Sequence, residues 1–492
     1  MTDEVPFFQS YTLTPLDHIA PPLYALFYLS FQPENPSQAL ITLKSGISHL
    51  VSQWPFLAGN VTQVQKRGKR RILEVQPPNA ADLLQYPMLQ VKHHQQLISH
   101  VPSLTVIDNE LLHIPTKVPI AYPIPAVRFQ ANVMHDGIIL CIGWHHQVMD
   151  GAGVGTILTS LSRCCHELDA EAAAPRRLPT DFQNEERARR QIYEASAPSP
   201  DHDGAYSSID YEEFWDATFE PIICRRYAMR AEKIEYLKDS CNALIRDLVS
   251  DHPITCRDST EGTEYPEEND YMSSDDVVTA LIWLCCSRAR LRAESRKASG
   301  LPPTSSLSRI VEVRSVLQPP LPRGYLGNSL MVARSQCSWD DIPGHHNEPH
   351  TASKRDHVGE ETVHALLKLA LKSRDKCRTI DDKAIRGLIA DLKNCNEYKE
   401  FAEAPAEVDI SSLRKLNLYR LNWGPHLGRM VDFDTIDSRT DGLSLILPAR
   451  PGKQRQSPWE LRITIPLTAM EQFRQDELVC WVTGAKKSEF KL

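Results

Sequence analysis

The feature that most constrains the fold is a continuous passage from a hairpin into a helix between residues 126 and 168. Ala126–Met134 alternates in side-chain character, which is typical of a half-buried strand. The following His-Asp-Gly at 135–137 favours a tight turn, because Asp-Gly adopts the backbone of short hairpins. Ile138–Trp144 is almost wholly apolar, and Thr156–Leu168 repeats apolar residues at helical spacing. This passage predicts a mixed α/β protein.

The joint between the buried strand and the helix, Gly143–Gly155, has the sequence GWHHQVMDGAGVG. It sets His146 four residues before Asp150, with Gly151 next. Histidine accepts a proton near neutral pH, and a nearby carboxylate can hold its tautomer directly or by ordering the loop. Glycine allows a close turn whose N–H groups can face an oxyanion, here with Gly151 as the candidate donor. We expect His145, which points the opposite way along an extended segment, to lie in the core.

The spacing H-x-x-x-D alone is weak evidence. With 18 histidines and an average content of aspartate, about one such match is expected by chance. The prediction of a catalytic site therefore depends on the complete string and on its position between a strand and a helix.

Several other stretches have a clear periodicity. Asp275–Leu291 predicts a buried helix with acidic residues at its start and arginines at its end, as the helix dipole favours. Glu360–Lys376 predicts an amphipathic helix, and Arg309–Leu317 and Leu461–Leu467 predict strands. Three proline-rich or polar stretches are expected to be surface connections: Ala172–Asp203, which mixes an Ala/Glu/Arg helical piece with prolines, Asp251–Asp275 and Ser338–Asp356.

Composition excludes several classes. The 492 residues carry 55 Lys and Arg against 63 Asp and Glu, a net charge of −8, which argues against nucleic acid as the main partner. The longest apolar runs are too short to span a bilayer, and the N-terminus has no secretory signal. Twelve cysteines without a C-x-x-C pair indicate buried free thiols rather than a disulfide framework or a zinc site. We therefore expect a soluble cytoplasmic protein.

The string HHQVMDG resembles the HxxxDG signature of the BAHD-like acyl-CoA-dependent acyltransferases, especially the fungal branch that includes trichothecene acetyltransferases. Four further stretches extend this resemblance over nearly the whole chain. They are Leu13–Asp17 (LTPLD), Leu43–Val61 (LKSGISHLVSQWPFLAGNV), Val311–Asn328 (VEVRSVLQPPLPRGYLGN) and Ser411–Gly428 (SSLRKLNLYRLNWGPHLG). Each is modest alone, but their order around HHQVMDG is specific.

The resemblance implies a monomer of two chloramphenicol-acetyltransferase-like α/β lobes, divided as residues 1–200 and 201–492, with a tunnel between them. His146 is expected in mid-tunnel as the general base. Acetyl-CoA, the default donor, or another acyl-CoA would enter from one side and a hydroxylated secondary metabolite, such as a terpenoid, alkaloid or polyketide, from the other. An amine acceptor would suit the same base. No metal and no permanently bound cofactor is expected.

The resemblance also implies roles for individual residues. Asp150 is expected to point away from the substrate and to pair with an arginine, for which Arg314 in the VEVR strand is the candidate. Two short stretches match segments near the coenzyme or the tunnel wall, namely Ser273 with Ser274 and Gly327 with Asn328.

The last block departs from the family pattern. Asn422, Trp423 and Gly424 stand where the family carries the start of its DFGWG element. That element is structural and lies away from the reaction centre in the family. The missing carboxylate therefore removes an expected ion pair and puts the local packing, and with it coenzyme affinity, in question.

Two other functions remain open at this point. A condensation enzyme that uses a carrier-tethered thioester would suit the same signature, although no carrier or adenylation segment accompanies it. A non-catalytic binding protein would keep the fold without the activity. The sequence contains no G-x-S-x-G motif, the nucleophile elbow of many serine hydrolases, so a serine hydrolase is not supported. His345 and His346 lie in a polar stretch, and we expect them to be solvated, with at most a weak surface metal contact.

Overall fold

The computed structural model describes residues 8–66, 69–98, 122–169, 181–199, 201–209, 220–251, 271–294, 304–344, 358–435, 437–438, 440–452 and 457–485. Its helices are α1 (Pro36–Gln53), α2 (Ala80–Gln85), α3 (Gly151–Asp169), α4 (Asp181–Glu194), α5 (Ala231–Asp251), α6 (Ser274–Glu294), α7 (Glu360–Arg378), α8 (Asp382–Asn394), α9 (Leu467–Gln475) and α10 (Glu477–Thr483).

The strands follow the same order along the chain. They are β1 (Tyr11–Thr12), β2 (Tyr24–Phe31), β3 (Asn60–Lys66), β4 (Lys69–Gln76), β5 (Leu89–His93), β6 (Ile124–Pro125), β7 (Val127–Met134), β8 (Gly137–His145), β9 (Tyr206–Ser207), β10 (Ile222–Met229), β11 (Thr304–Glu312), β12 (Leu330–Ser338), β13 (Ala402–Glu403), β14 (Val408–Ser412), β15 (Asp432–Thr435), β16 (Leu443–Ile446) and β17 (Trp459–Pro466).

The N-terminal part is built around a five-stranded sheet in the order β15-β2-β8-β7-β5. Strand β8 lies at its centre, with Trp144 opposite Ala25 of β2 and Val127 of β7. A smaller sheet, β1-β4-β3-β6, lies beside it. Strand β15 comes from the C-terminal part of the chain and pairs with β2. The division at residue 200 thus stays a prediction, and a strand from the far side of it completes the N-terminal sheet.

The C-terminal part contains a six-stranded sheet in the order β10-β17-β16-β14-β11-β12. It packs against α6, whose Trp283 is fully buried, and against α7. A third apolar cluster brings Leu16 from the N-terminal segment together with Val313, Tyr325 and Ile385. Two sheet-rich units in a mixed α/β chain agree with the predicted fold class, and the loops around residues 146 and 314 lie between them.

Strand β7 corrects one expectation. Ala126–Met134 was expected to be half-buried, yet the polar side chains of Arg128, Gln130 and Asn132 are at most 2% exposed. The prediction was wrong because both faces of β7 are covered: Val127, Phe129 and Ala131 on the opposite face are buried as well. Its polar residues bond within the protein; Arg128 Nε donates to the carbonyl of Tyr86 at 2.7 Å.

The predicted strand Arg309–Leu317 ends early. Strand β11 stops at Glu312, and the chain then turns, because the N–H groups of Val316 and Leu317 both donate to the carbonyl of Val313. Arg314 therefore lies in a turn after the strand. The predicted helices at Asp275–Leu291 and Glu360–Lys376 are confirmed as α6 and α7, each slightly longer than expected.

Other sequence expectations are met in part. Of the eleven cysteines that the structure describes, all carry free thiols and eight are buried. Within the described residues, no helix has the length and apolarity that a membrane crossing requires. The stretch Ala172–Asp203 is more than a surface connection, because α4 within it buries Glu185, Ala188 and Ile192.

Candidate active site

The candidate site is the turn between β8 and α3. The N–H of Val148 donates to the carbonyl of His145 at 2.9 Å, which closes the turn. Trp144 Nε1 donates to the carbonyl of Met149 at 2.9 Å, so the strand holds the end of the loop. His145, Gln147 and the following residues to Asp150 are all buried, whereas His146 is partly exposed. The loop therefore presents one imidazole from an otherwise closed turn.

Both backbone groups of His146 are held. Its N–H donates to the carbonyl of Leu23 at 2.8 Å, and its carbonyl accepts from Nδ2 of Asn328 at 2.9 Å. Burial lowers the pKa of His146 below its ordinary value, and this shift is opposed by its own carbonyl group, the charge of Asp150 and the Asn328 side chain. At pH 7 the ring is thus neutral, the state that a general base requires.

His145 lies in the core, as predicted. It is fully buried, packs edge to face on Tyr24 with ring centroids 5.9 Å apart, and its Nε2 lies 3.3 Å from the hydroxyl of Tyr122. Burial, followed by the neighbouring His146 and His18, lowers the pKa of His145 to about 3. The ring is therefore neutral at any pH at which the protein is studied.

Asp150 is 1% exposed and accepts four hydrogen bonds. Arg314 donates two of them in a fork, from Nη1 to Oδ2 at 2.9 Å and from Nη2 to Oδ1 at 2.8 Å. The others come from the N–H groups of Gly153 at 2.8 Å and Ser329 at 3.1 Å. The predicted contact between Asp150 and Arg314 is confirmed. With its oxygens committed in this way, Asp150 orders the loop rather than the ring of His146.

Arg314 is saturated by its surroundings. Besides Asp150, its guanidinium donates to the carbonyls of Tyr325 at 3.1 Å and Gly327 at 2.7 Å and to Oε1 of Glu312 at 3.1 Å. Burial is the largest single effect on the pKa of Arg314 and lowers it. The interactions with Asp150 and then Glu312 together outweigh burial, so the pKa lies above its ordinary value. This arrangement, with Asp150 in one part of the chain and Arg314 in the other, is called the Asp150–Arg314 clamp below.

The glycines after Asp150 correct a second expectation. Gly151–Gly155 was expected as a turn, but these residues form the start of α3, with Asp150 as its cap: the N–H of Val154 donates to the carbonyl of Asp150 at 3.0 Å. In an α-helix, the N–H groups of the first turn have no partner within the helix. The N–H of Gly153 is used by Asp150, while Gly151 as an oxyanion donor stays a prediction.

The glycines instead allow a close approach of C-terminal residues. A Cβ on Gly153 would lie 2.0 Å from the carbonyl oxygen of Leu326, and one on Gly155 would lie 3.0 Å from a methyl group of Leu416. A backbone oxygen cannot move aside as a side-chain methyl group can. Gly153 is therefore needed where the two parts of the chain meet.

Gly153→Ala is expected to destabilise the protein by about 1–3 kcal/mol, because overpacking against backbone outweighs the helix-propensity gain of about 1 kcal/mol. Gly155→Ala is the matched control in the same helix, and we expect its stability to be within about 1 kcal/mol of the parent. Urea unfolding of both variants measures the difference. Equal midpoints for the two would contradict the close approach to Leu326.

Gly327 and Asn328 lie at the loop of His146. The N–H of Asn328 donates to Oδ1 of Asp17 at 2.6 Å, and its Nδ2 donates to the same oxygen at 3.2 Å. The carbonyl of Gly327 accepts from Arg314. Coenzyme binding by Gly327 and Asn328 stays a prediction, whereas the contact of Asn328 with the His146 loop is observed.

Ser273 and Ser274 lie at the start of α6. The hydroxyl of Ser273 donates to Oδ2 of Asp276 at 2.7 Å, and the N–H of Ser273 donates to the same oxygen at 2.8 Å. These bonds cap the helix, and Ser274 is its first residue. Coenzyme binding by this pair stays a prediction.

The NWG element is structural. Trp423 is fully buried and packs edge to face on Phe31, with centroids 5.1 Å apart, and Gly424 has φ +88, which favours glycine. Asn422 is exposed, and its Oδ1 accepts from the N–H of Gly424 at 3.2 Å. The position at which the family carries a carboxylate is thus exposed to solvent beside a turn, as expected for an element away from the reaction centre.

Two buried carboxyl groups beside the site carried no role in the sequence analysis. Asp17 belongs to the LTPLD block, whose Thr-x-x-Asp pattern is a capping signal. Glu185 in α4 accepts from Tyr11 at 2.5 Å and from the N–H of Leu326 at 2.9 Å. Burial raises the pKa of Glu185 to about 7. No local pattern marks Glu185.

In the described ranges, no three His, Cys, Asp or Glu side chains converge in a way that could hold a metal ion. His345 and His346, considered above as a weak surface contact, lie outside the described residues.

Sequence comparisons place this chain among fungal transferases. The model of the transferase family matches residues 108–478, and that of a trichothecene 3-O-acetyltransferase-like N-terminal domain matches residues 23–165. The communesin N16 acyltransferase of Penicillium expansum is 31% identical over 96% of this chain and 98% of its own length. The fumigaclavine B O-acetyltransferase of Aspergillus fumigatus is 29% identical over 96% and 97%.

Solved structures agree with the fold. F. graminearum TRI101 in complex with coenzyme A and deoxynivalenol has a TM-score of 0.70 at 18% identity, over 96% of this chain and 98% of its own. Vinorine synthase has a TM-score of 0.58 at 15% identity, over 95% of each chain. The predicted fold class is thereby confirmed.

Proposed function

The chain belongs to the transferase family and is an acyltransferase, and we propose that it transfers an acyl group from acyl-CoA directly to a hydroxyl group of a secondary metabolite. The observation that carries this proposal is the loop of His146. It presents a partly exposed, neutral imidazole from a turn that is otherwise buried, and the Asp150–Arg314 clamp holds that turn in place.

In the proposed reaction, Nε2 of His146 accepts the proton of the acceptor hydroxyl while the hydroxyl oxygen attacks the thioester carbonyl carbon. The tetrahedral intermediate carries its charge on the former carbonyl oxygen, for which the N–H of Gly151 at the start of α3 is the candidate donor. When the intermediate collapses, the carbon–sulfur bond breaks and His146 returns the proton to the CoA thiolate. Holding both substrates together lowers the activation barrier by up to about 7–11 kcal/mol.

The acceptor class follows from the relatives in outline. Their names assign acetylation of fumigaclavine B to one relative and acylation of communesin at N16 to another. The first name implies an oxygen acceptor and the second a nitrogen acceptor, so we propose terpenoid, alkaloid and polyketide alcohols as the first acceptors to test, with amines beside them. Acetyl-CoA is the proposed donor, and a cytoplasmic monomer is the proposed state.

The first test is CoA thiol release from acetyl-CoA across this panel, with the acetylated product identified by mass. Release that requires an acceptor supports the proposal. A product formed only from a carrier-tethered acetyl thioester would favour the condensation-type alternative. If acetyl-CoA protects the protein against heat but no donor is consumed with any acceptor, a binding protein becomes the better description.

The pH dependence tests the state of His146. Because burial holds its pKa below 6.5, kcat/KM is expected to be constant from pH 8 to below 6.5 and to fall only at lower pH, as the ring gains a proton. The measurement is kcat/KM from pH 4.5 to 8, with the thermal midpoint recorded at each pH to exclude unfolding. An acidic limb with its midpoint at or above 6.5 would contradict a desolvated base.

A further inference from the structure

Asp17 is a buried carboxylate next to the site that the mechanism does not use. It is 1% exposed and lies in a short 3-10 helix, Pro15–Ile19. It accepts from the N–H and the hydroxyl of Thr14 at 2.7 and 2.8 Å and from the N–H and Nδ2 of Asn328 at 2.6 and 3.2 Å. Burial raises the pKa of Asp17 to about 6, so the group is ionised at pH 7.

The amide of Asn328 has a defined orientation. Its Nδ2 faces two groups that only accept hydrogen bonds, namely Oδ1 of Asp17 and the carbonyl of His146. A flipped amide would place its oxygen against both of these acceptors. Asp17 and the carbonyl of His146 therefore determine together which way Oδ1 of Asn328 points.

The same two residues carry two further buried atoms of complementary kind. Among the described residues, the buried Oδ1 of Asn328 has no hydrogen-bond partner, and neither has the buried Nδ1 of His146. The first is an acceptor, and the second is a donor when it carries the proton. Two acceptors favour the protonated ring of His146 and raise its pKa against burial: its own carbonyl group and, with a smaller effect, the Asn328 side chain.

We propose that Asp17 and Asn328 form a positioning pair that keeps the proton of neutral His146 on Nδ1, so that Nε2 is free to act as the base. This inference rests on the proposed function. A neutral imidazole has one N–H, and only the Nδ1–H tautomer offers a lone pair at Nε2. Asp150 does not serve this purpose, because its oxygens are committed to Arg314, Gly153 and Ser329.

The same pair acts during the reaction. When Nε2 accepts the proton, the ring becomes an imidazolium with a second N–H on Nδ1. The dipole of the oriented Asn328 amide and the charge of Asp17 behind it stabilise that cation. The proton then leaves from Nε2 to the CoA thiolate, and the proton on Nδ1 does not move.

The tautomer is measurable without any substrate. The full chain is labelled with ¹⁵N in its histidine rings, and the His146 signals are identified by their loss in His146→Ala. We expect the parent ring to carry its proton on Nδ1 at pH 7.5. In Asn328→Ala a substantial fraction should carry it on Nε2, because the Asn328 amide is removed. Asp17→Asn should give a smaller fraction of the same tautomer, because the charge behind the amide is lost while the carbonyl of His146 still holds its Nδ2. A parent ring protonated on Nε2, or variants with the parent tautomer, would overturn the proposal.

Kinetics supply the second readout. Asp17→Asn and Asn328→Ala are expected to lower kcat by about 10- to 100-fold, with KM for acetyl-CoA changed by less than about two-fold. The acidic limb of the pH profile should move to lower pH, because the imidazolium loses its stabilisation and because Asp17→Asn also removes a carboxyl group that gains a proton near pH 6. A purely structural role would leave that limb in place, and an unmoved limb would overturn the proposal.

The design includes controls. Asp382→Asn removes a partly exposed carboxylate on α8, which accepts from Arg386 and the N–H of Gln318, and should match the parent in ring tautomer, kcat and pH profile. If Asp17→Asn does not fold, Thr14→Ala removes one donor to Asp17 and should give a smaller shift of the same sign. The titratable groups that face the pair are Glu185, Arg189, Tyr193, Tyr325 and Tyr398 around Asp17, and His145 and Asp150 around His146.

The two proposals fail separately. Turnover that survives in His146→Ala would overturn His146 as the base, whereas the ring spectrum would still report its tautomer. A lost activity in His146→Ala together with an unchanged tautomer in Asn328→Ala and Asp17→Asn would overturn only the positioning pair.

Discussion

His146→Ala is expected to lower kcat by about 10³-fold, because a general base of this kind contributes roughly 10²–10⁴-fold. The side chain is partly exposed at the end of β8, and its backbone groups, which the substitution keeps, bond to Leu23 and Asn328. The variant should therefore fold normally. Acceptor-dependent CoA release, corrected for spontaneous hydrolysis, measures the loss.

The matched control is His364→Ala on α7. This imidazole is 46% exposed and lies 3.8 Å from Glu360 on the same surface helix. We expect it to retain the parent kcat, which would show that removing an imidazole has no general effect. If His146→Ala kept activity within tenfold of this control, the assignment of His146 as the base would be wrong.

Arg314→Met is expected to destabilise the protein by about 3–5 kcal/mol, because removing one partner of a buried ion pair leaves an uncompensated charge. Asp150 is 1% exposed and would keep only the N–H groups of Gly153 and Ser329 as partners. Three further acceptors, the carbonyls of Tyr325 and Gly327 and the carboxylate of Glu312, would also lose a donor. The apparent free energy of unfolding in urea measures the cost.

The control is Arg386→Met, which removes the arginine of a half-exposed i,i+4 pair with Asp382. A pair of this kind contributes about 0.3–0.5 kcal/mol. The double variant Arg314→Met/Asp150→Asn should recover part of the loss, since the buried charge is then removed. If Arg314→Met cost no more than Arg386→Met, the Asp150–Arg314 clamp would not hold the two parts of the chain together.

Local structure was predictable where the sequence pattern is short-range. The strand at 138–144 and the helices at Asp275 and Glu360 follow from the spacing of apolar residues, and each is present. The errors arise where contacts with distant residues decide. Strand β7 has buried side chains on both faces because other parts of the chain pack against each face, and Gly151–Gly155 is helical because Asp150 caps it.

Residues of the site divide in the same way. His146 and Asp150 stand out in the sequence because a candidate base and a carboxylate lie four residues apart in one loop. Arg314 was found through the resemblance of its block, and its contact with Asp150 spans 164 positions. Asp17 and Glu185 were missed because a buried carboxylate looks like a surface one in sequence, and only packing removes the water around it.

By itself, then, the sequence determined the mixed α/β class, because periods of two to four residues mark its strands and helices. The two lobes, the acyl transfer and the loop proposed to carry the base were predicted from the resemblance of its motifs to the BAHD-like acyltransferases. The tertiary structure alone decided how the loop is held. Residues 17, 150, 314 and 328 converge on it from separate segments, with Asn328 and Asp17 311 positions apart. That convergence depends on sheet order and on the packing of the two parts of the chain, which no local pattern encodes.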